Sequence, residues 1–413
     1  KKHRIVKERE QEENKMLQGK TVLLGVTGGI AAYKMPNVAR MLKKMHCNVH
    51  VLMTQNATNF ITATTFETLT GNKCLIDTFD RNFEFSVEHV ALAKQADLVL
   101  LAPATANVIG KIANGIADDM LTTTVMACTC KVLVAPAMNH NMYHNSIVQE
   151  NLEKLKRHGY EMIDPVCGML ANGDTGDGKL PSEETLVEYV LRELAFEKDM
   201  QGLKVLVTAG PTQEAIDPVR FISNHSTGKM GYAIAKNAML RGAEVTLVTG
   251  RTALEPPMFV KTVPVTSAKD MYQAVMECAK EQDIIVKAAA VADYTPAHTA
   301  DEKIKKSEGE LSLALEKTTD ILAELGKNKG NTVLCGFSME TEHMLENSRA
   351  KRKKKNLDMI AANNLKQQGA GFAGDTNVLT LITEDWEKEL ALMSKDEAAK
   401  CLLDELLKIK KNK

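Results

Sequence analysis

The sequence has no surplus of positive charge: 52 Lys and Arg stand against 53 Asp and Glu in 413 residues. That balance argues against a general nucleic-acid binder, which carries a basic excess. No apolar run approaches the roughly 18 residues that a membrane span needs, so no membrane partner is expected. Residues 1–15 are charged and lack the apolar stretch of a secretory signal. The chain begins without Met, which reads as a trimmed start. Cysteine is sparse: eight residues, scattered, with Cys128-Thr-Cys130 the one close pair. None sits at zinc spacing, so reduced, mostly buried thiols in a cytoplasmic protein are expected. What is present supports a packed core: 44% hydrophobic and 25% charged residues, in a length that suggests two or three domains.

Two segments read as copies of one unit. QGKTVLLGVTGG (18–29) and QGLKVLVTAG (201–210) are short apolar runs ending in small residues. A helical pattern and a second apolar run follow each: NVHVLMT (48–54) and AEVTLVTG (243–250). Strand, glycine turn, helix, strand is the βαβ unit and implies a parallel sheet. Further buried strands are expected at 96–103, 131–138, 282–293, 331–338 and 357–364, with helices over 109–121, 270–282 and 319–329. The fold class is therefore α/β, two doubly wound, mainly parallel-sheet Rossmann-like domains. The expected limits are a charged extension over 1–17, a first domain over 18–195 and a second over 196–413. Ligands in such sheets bind beyond the carboxyl ends of the strands.

In the first half, the turn Gly25-Val-Thr-Gly28-Gly29-Ile30 could admit a phosphate at a helix start. The second strand ends in Thr54, where a dinucleotide fold usually has Asp or Glu. A hydroxyl suits phosphate, which tilts the reading toward a mononucleotide such as FMN. Pro103-Ala104-Thr105-Ala106-Asn107 offers small and polar residues on which a flat ring can lie. Asn139 carries an amide suited to a carboxylate; the plainer alternative is a helix cap. His89, just before a helix, is of the type that suits proton transfer, although a lone histidine is more often structural. Residues 168–180 form a glycine-rich loop, read as a surface linker or as a mobile flap.

Taken together, GVTGGIAAYK, EHVAL, PATANV, PAMNHNM and the glycine-rich flap resemble the flavin-dependent phosphopantothenoylcysteine decarboxylases over residues 20–190. The resemblance implies a flavodoxin-like first domain with FMN on Gly28, Gly29, Ile30, Thr54, Ala104, Thr105, Ala106 and Asn107. It also implies His89 as a base, and Met138 and Asn139 as substrate contacts. One position departs: Asn172 stands where the family has the cysteine that supplies a proton in the final reduction. Lys179 replaces the usual arginine. An amide is a very poor acid, so the sequence leads us to expect an unreduced enethiol product.

In the second half, the loop 208–231 is long and rich in Gly, Pro, Ser and Thr. It leads into a helix near Lys229 but does not match a Walker motif. Asp293 ends an alanine-rich stretch in a place suited to Mg²⁺. The lysines at 303–306 and 351–355 could offset phosphates or form a solvated face. AGPTQEAIDPVRFISNHSTGKMG, AAAVADY, EKIKK and KNLDMIAAN resemble the phosphopantothenate–cysteine ligases over residues 200–405. In bacteria the two activities occur in one chain in this order. The resemblance implies that 4'-phosphopantothenate is activated by CTP as an acyl-cytidylate and then captured by cysteine. It assigns catalytic roles to Asn224 and Lys303, and substrate contact to Arg220 and Asn224. Nucleotide contacts are implied at Lys287, Ala288, Ala289, Asp293, Lys303, Thr319, Asp320, Ile321, Leu322, Phe337, Lys351 and Lys355, with Mg²⁺ at Asp293. It also implies a homo-oligomer, trimer-based and up to a dodecamer. The rival readings are an NAD(P) oxidoreductase, weakened by Thr54 and Thr249 where an acid is needed, and a flavin-fold regulatory protein without turnover.

Overall fold

A computed structural model describes residues 15–78, 88–169, 173, 175–305, 312–340, 343–364 and 374–413. Asn172 lies outside the described residues. The chain divides into two compact units, Lys1–Phe196 and Glu197–Lys413.

The first unit is built on β1 (Thr21–Val26), β2 (Asn48–Met53), β3 (Leu98–Ala104), β4 (Lys131–Pro136) and β5 (Glu161–Met162). Among the described residues these form one parallel sheet in the order β2-β1-β3-β4-β5. That is the flavodoxin-like order, with its switch point between β1 and β3. Strand β3 is buried at every position, which is why it reads as an unbroken apolar run. Helices α1 (Met35–Lys44), α2 (Ala63–Thr70), α3 (Glu88–Gln95), α4 (Ala106–Ala113), α5 (Met120–Ala127), α6 (His140–Tyr143), α7 (Ser146–Arg157) and α8 (Glu183–Leu194) complete it. Leu23, Leu52, Leu101, Leu121 and Val134 belong to one core cluster.

Two expectations need correction here, and a third segment gains definition. The helix expected over 109–121 is two helices, α4 and α5. Asn114 bonds back to the carbonyl of Gly110, and Asp119 opens α5 with a reciprocal capping box to Thr122. His89 lies within the first turn of α3, not before it. Among the described residues of the flap region, β6 (Val166–Met169) and β7 (Thr175–Lys179) pair antiparallel.

The second unit contains β8 (Lys204–Ala209), β9 (Gln213–Ala215), β10 (Phe221–Ser223), β11 (Glu244–Thr249), β12 (Lys261–Pro264) and β13 (Ile284–Lys287). There follow β14 (Tyr294–Pro296), β15 (Leu315–Lys317), β16 (Val333–Glu340), β17 (Met359–Asn364), β18 (Thr376–Asn377), β19 (Leu379–Ile382), β20 (Glu387–Glu389) and β21 (Met393–Ser394). Its main sheet, among the described residues, runs β12-β11-β8-β13-β16-β17-β19-β20. The first six are parallel in the Rossmann order, and β19 and β20 extend it antiparallel. The helices are α9 (Lys229–Leu240), α10 (Ala268–Cys278), α11 (Ile321–Lys327), α12 (Met344–Lys354) and α13 (Lys395–Asn412). The strand expected over 282–293 stops at Lys287. From Ala289 onward its backbone bonds the end of β8 and the loop after it instead.

Candidate active sites

At the switch point of the first unit a cleft of about 430 Å³ lies beyond the carboxyl ends of the strands. Gly28, Gly29, Thr54, Thr105, Ala106, Asn107 and Met138 line it. Asn56, Val108, Ala137 and Met142, which the sequence did not single out, line it too. Ile30 and Ala104 are not among the lining residues. Ile30 is exposed in the short helical turn after Gly29, and the Ala104 side chain is buried at the end of β3.

Thr27 staples the turns after β1 and β3. Its buried hydroxyl donates to the Pro103 carbonyl at 2.5 Å and accepts from the Thr105 N–H at 3.1 Å. Nothing in the glycine motif announces this role, because the partner lies 76 residues away. Gly28 is required by packing: a Cβ there would sit 2.6 Å from Asn56 Cβ. Thr54 and Thr105 each cap the following helical turn, accepting from the Ala57 and Val108 N–H groups. Asn139 caps α6: its side-chain oxygen accepts from the Asn141 N–H at 2.9 Å. The cap and the carboxylate reading are compatible, because the cap uses the carbonyl oxygen and the amide N–H groups are the donors a carboxylate needs. His89 is half-buried and is not among the lining residues.

The hairpin packs against this rim. The Met138 N–H donates to the Gly178 carbonyl at 3.0 Å, and Asp177 offers its N–H to His140 Nδ1 and its carboxylate to His144. The described part of the flap is therefore docked at strand β7.

In the second unit the loops after β8 and β13 run side by side at the switch point. The Ala289 N–H donates to Thr208 Oγ1, the Ala290 N–H to the Gly210 carbonyl and the Ala292 N–H to Thr212 Oγ1. Asn224 joins them, its amide donating to the Ala290 carbonyl at 3.0 Å. Asp293 is exposed at the end of this stretch, and Lys303 is exposed on the loop beyond β14.

Further along the strand ends, Lys287, Asp320, Phe337, Lys351 and Lys355 come together. Lys355 pairs with Asp320 at 2.7 Å, and Lys351 Nζ donates to the Phe337 carbonyl at 3.1 Å. Lys287 is 8% exposed, and its amine lies 3.9 Å from the Met271 sulfur. Burial lowers its pKa from 10.5 to about 7, Asp320 opposing this and Lys355 and Lys351 reinforcing it. Burial works the other way on Asp320, but the hydrogen bonds from Lys355 and the Ala323 N–H outweigh it and keep the carboxyl below its usual range. Thr319 is exposed beside this group, whereas the Ile321 and Leu322 side chains are in the core. Arg220 is committed within the protein, to Asp217 at 2.5 Å and to the Ile304 carbonyl at 2.7 Å.

Comparison with known proteins agrees with this division. Residues 10–195 match the Flavoprotein family, and residues 200–409 match the C-terminal domain of the DNA/pantothenate metabolism flavoproteins. The coenzyme A biosynthesis bifunctional protein CoaBC of Bacillus subtilis is 45% identical over 400 residues, covering 96% of this chain and 98% of its own. Its Escherichia coli K12 counterpart is 42% identical over 395 residues, covering 95% and 97%. A crystal structure of the C-terminal domain of CoaBC is 41% identical, covering 52% of this chain and all of its own, with a TM-score of 0.46. Two catalytic halves in one chain, each matched to the family that its own motifs resemble, leave one conclusion: the chain belongs to the family of bifunctional coenzyme A biosynthesis proteins.

Proposed function

We propose that the second unit joins 4'-phosphopantothenate to cysteine using CTP, and that the first decarboxylates the product, 4'-phosphopantothenoylcysteine, with FMN. The observation that supports this reading is that Gly28, Gly29, Thr54 and the 105–107 turn line the cleft of the first unit, while Asn224 is anchored on Ala290 beside the loop after β8 in the second.

The first cleft suits a flavin mononucleotide. It presents hydroxyls, amides and the start of α4, no carboxylate lines it among the described residues, and its volume is that of an ordinary ligand site. Gly28, Gly29, Thr54 and the 105–107 turn would hold FMN, which when bound supplies the two-electron oxidation that eases loss of CO2. Asn139 orients the substrate carboxylate through its amide, Met138 packs beside it, and His89 is assigned as the base on the resemblance. In the second unit the substrate carboxylate attacks the α-phosphorus of CTP and diphosphate departs. Asn224 holds the resulting acyl-cytidylate, and Lys303 acts in its capture by cysteine. Lys351 and Lys355 offset nucleotide charge. The exposed carboxylate of Asp293 suits Mg²⁺, which takes one or two carboxylates together with substrate phosphates.

Asn172 sets the end point of the first reaction. Without an acid at that position the final reduction lacks its proton donor, and the enethiol is the expected product, one equivalent per bound FMN, because the two electrons taken from the substrate would stay on the flavin until dioxygen removes them. Mass spectrometry of products from phosphopantothenate, cysteine and CTP tests both steps. A mass two hydrogens below 4'-phosphopantetheine is expected from this chain, and the saturated product from Asn172→Cys. Saturated product from the unaltered chain rules the stall out, and failure to consume CTP rules out the ligase reading.

Among the described residues no helix is long and apolar enough to cross a membrane, and we place the protein in the cytoplasm. Ile30 and Tyr33 are 56% and 61% exposed. We read them as contacts to a second copy in a trimer-based assembly, which light scattering would measure.

A further inference from the structure

Asp217 is an unusual carboxylate. Its side chain is fully buried, although it lies in the turn between β9 and β10. One oxygen accepts from the Val219 and Arg220 N–H groups, both at 2.8 Å. The other accepts from Arg220 Nε, a terminal nitrogen of Arg220 and the Ile304 N–H. Burial alone would push the carboxyl up, but these hydrogen bonds outweigh it and hold the group well below its usual range.

Two of these partners reach across the fold. Ile304 follows Lys303 directly and lies 87 residues from Asp217. Arg220, itself fixed by Asp217, donates to the Ile304 carbonyl, so both backbone groups of Ile304 are held. The same segment is pinned twice more: Thr299 Oγ1 donates to the Ala215 carbonyl and the Ala300 N–H to the Ile216 carbonyl. From Arg220 the chain runs through β10 directly to Asn224, which is anchored on Ala290. One hairpin thus holds the Lys303 loop at one end and Asn224 at the other.

We infer that Asp217 is a positioning residue for amide formation, fixing the Lys303 loop relative to Asn224 through Arg220 and Ile304. The inference rests on the ligase reading above. In the step concerned, the cysteine nitrogen forms a bond to the acyl carbon and loses a proton. The acyl–oxygen bond to CMP breaks, and CMP leaves with the electron pair. The earlier release of diphosphate does not need Lys303 in place and should be spared. Arg220 then serves as a clamp through Nε and one terminal nitrogen.

The test uses the full chain, its Asp217→Asn variant and rapid-quench measurement of both half-reactions. Asp217→Asn keeps the shape but loses the charge that holds Arg220. It should release one diphosphate per site at a rate within about threefold of the unaltered chain. Its cysteine-dependent turnover should fall about 10²-fold, the loss expected of a misplacement of about 1 Å. Acyl-cytidylate should accumulate, and Lys303→Gln combined with Asp217→Asn should be no worse than Lys303→Gln alone. Ile304→Pro, which removes one donor from the loop and leaves the Asp217–Arg220 pair intact, should show the same split more weakly. Equal loss in both half-reactions, no loss in either, or additive losses in the double variant would overturn the inference. Absence of a diphosphate burst from the unaltered chain would instead overturn the ligase reading, and this inference with it.

Discussion

Lys287 shows what a single buried charge does to a fold. In the unfolded chain its amine titrates at 10.5, whereas burial brings it to about 7 in the folded protein. Between those values the unfolded chain holds the extra proton, so stability rises with pH across the window. Replacing Lys287 by Met removes this dependence and the cost of burying the amine. Urea unfolding of the two proteins should show Lys287→Met the more stable at pH 7. The gap should close from pH 7 to pH 9, at a rate that approaches about 1.4 kcal/mol per pH unit only above roughly pH 8, where the folded amine has lost its proton. A constant gap would mean that the amine stays charged inside. The same reasoning bears on ligand affinity. Binding of an anion beside Lys287, Lys351 and Lys355 favours the protonated amine, so CTP binding should take up protons at pH 8. Calorimetry in buffers of different ionisation enthalpy measures that uptake, and Lys287→Met should abolish it.

Among the elements, the flap hairpin is held by backbone geometry rather than by side-chain bulk. Gly178 has φ +117°, and a Cβ there would lie 2.3 Å from the Met138 carbonyl oxygen. Gly178→Ala should therefore part β7 from the cleft rim and destabilise the first unit by about 1–3 kcal/mol. Decarboxylation should fall while CTP-dependent diphosphate release is unchanged; loss of both would show that the damage is not local. Such contacts explain what the sequence could and could not reveal. The central parallel strands were legible because burial on both faces leaves unbroken apolar runs such as Leu98–Ala104. The break between α4 and α5 was not, since Ile109, Ile112 and Met120 continue an apolar pattern across it and the stop is made by Asn114 and Asp119. The alanines after Lys287 read as strand because their composition is that of a strand. Their hydrogen bonds go to Thr208, Gly210 and Thr212, which no local pattern encodes. Within the sites, the glycine and Thr54 positions could be read from motifs. Thr27 and Asp217 could not, because each acts through a partner more than 70 residues away.

For the molecule as a whole, the two units have separate sheets and separate cores. Leu23, Leu101 and Val134 belong to one cluster, and Leu206, Ile285 and Leu334 to the other. A unit that buries its own apolar surface can fold alone, and each here exceeds the size at which a single core is marginal. Expressed separately, residues 1–196 should bind FMN and turn yellow, and residues 197–413 should release diphosphate from CTP in the presence of phosphopantothenate. Mixing the halves tests how they cooperate. The product of the ligase step must leave one site before the other can take it. Mixed halves and intact chain, at equal and low concentration, should therefore show the same lag before CO2 appears. The lag should shorten in proportion as the decarboxylase half is added. An intact chain that releases CO2 without a lag, where mixed halves show one, would mean that the intermediate passes directly between the units.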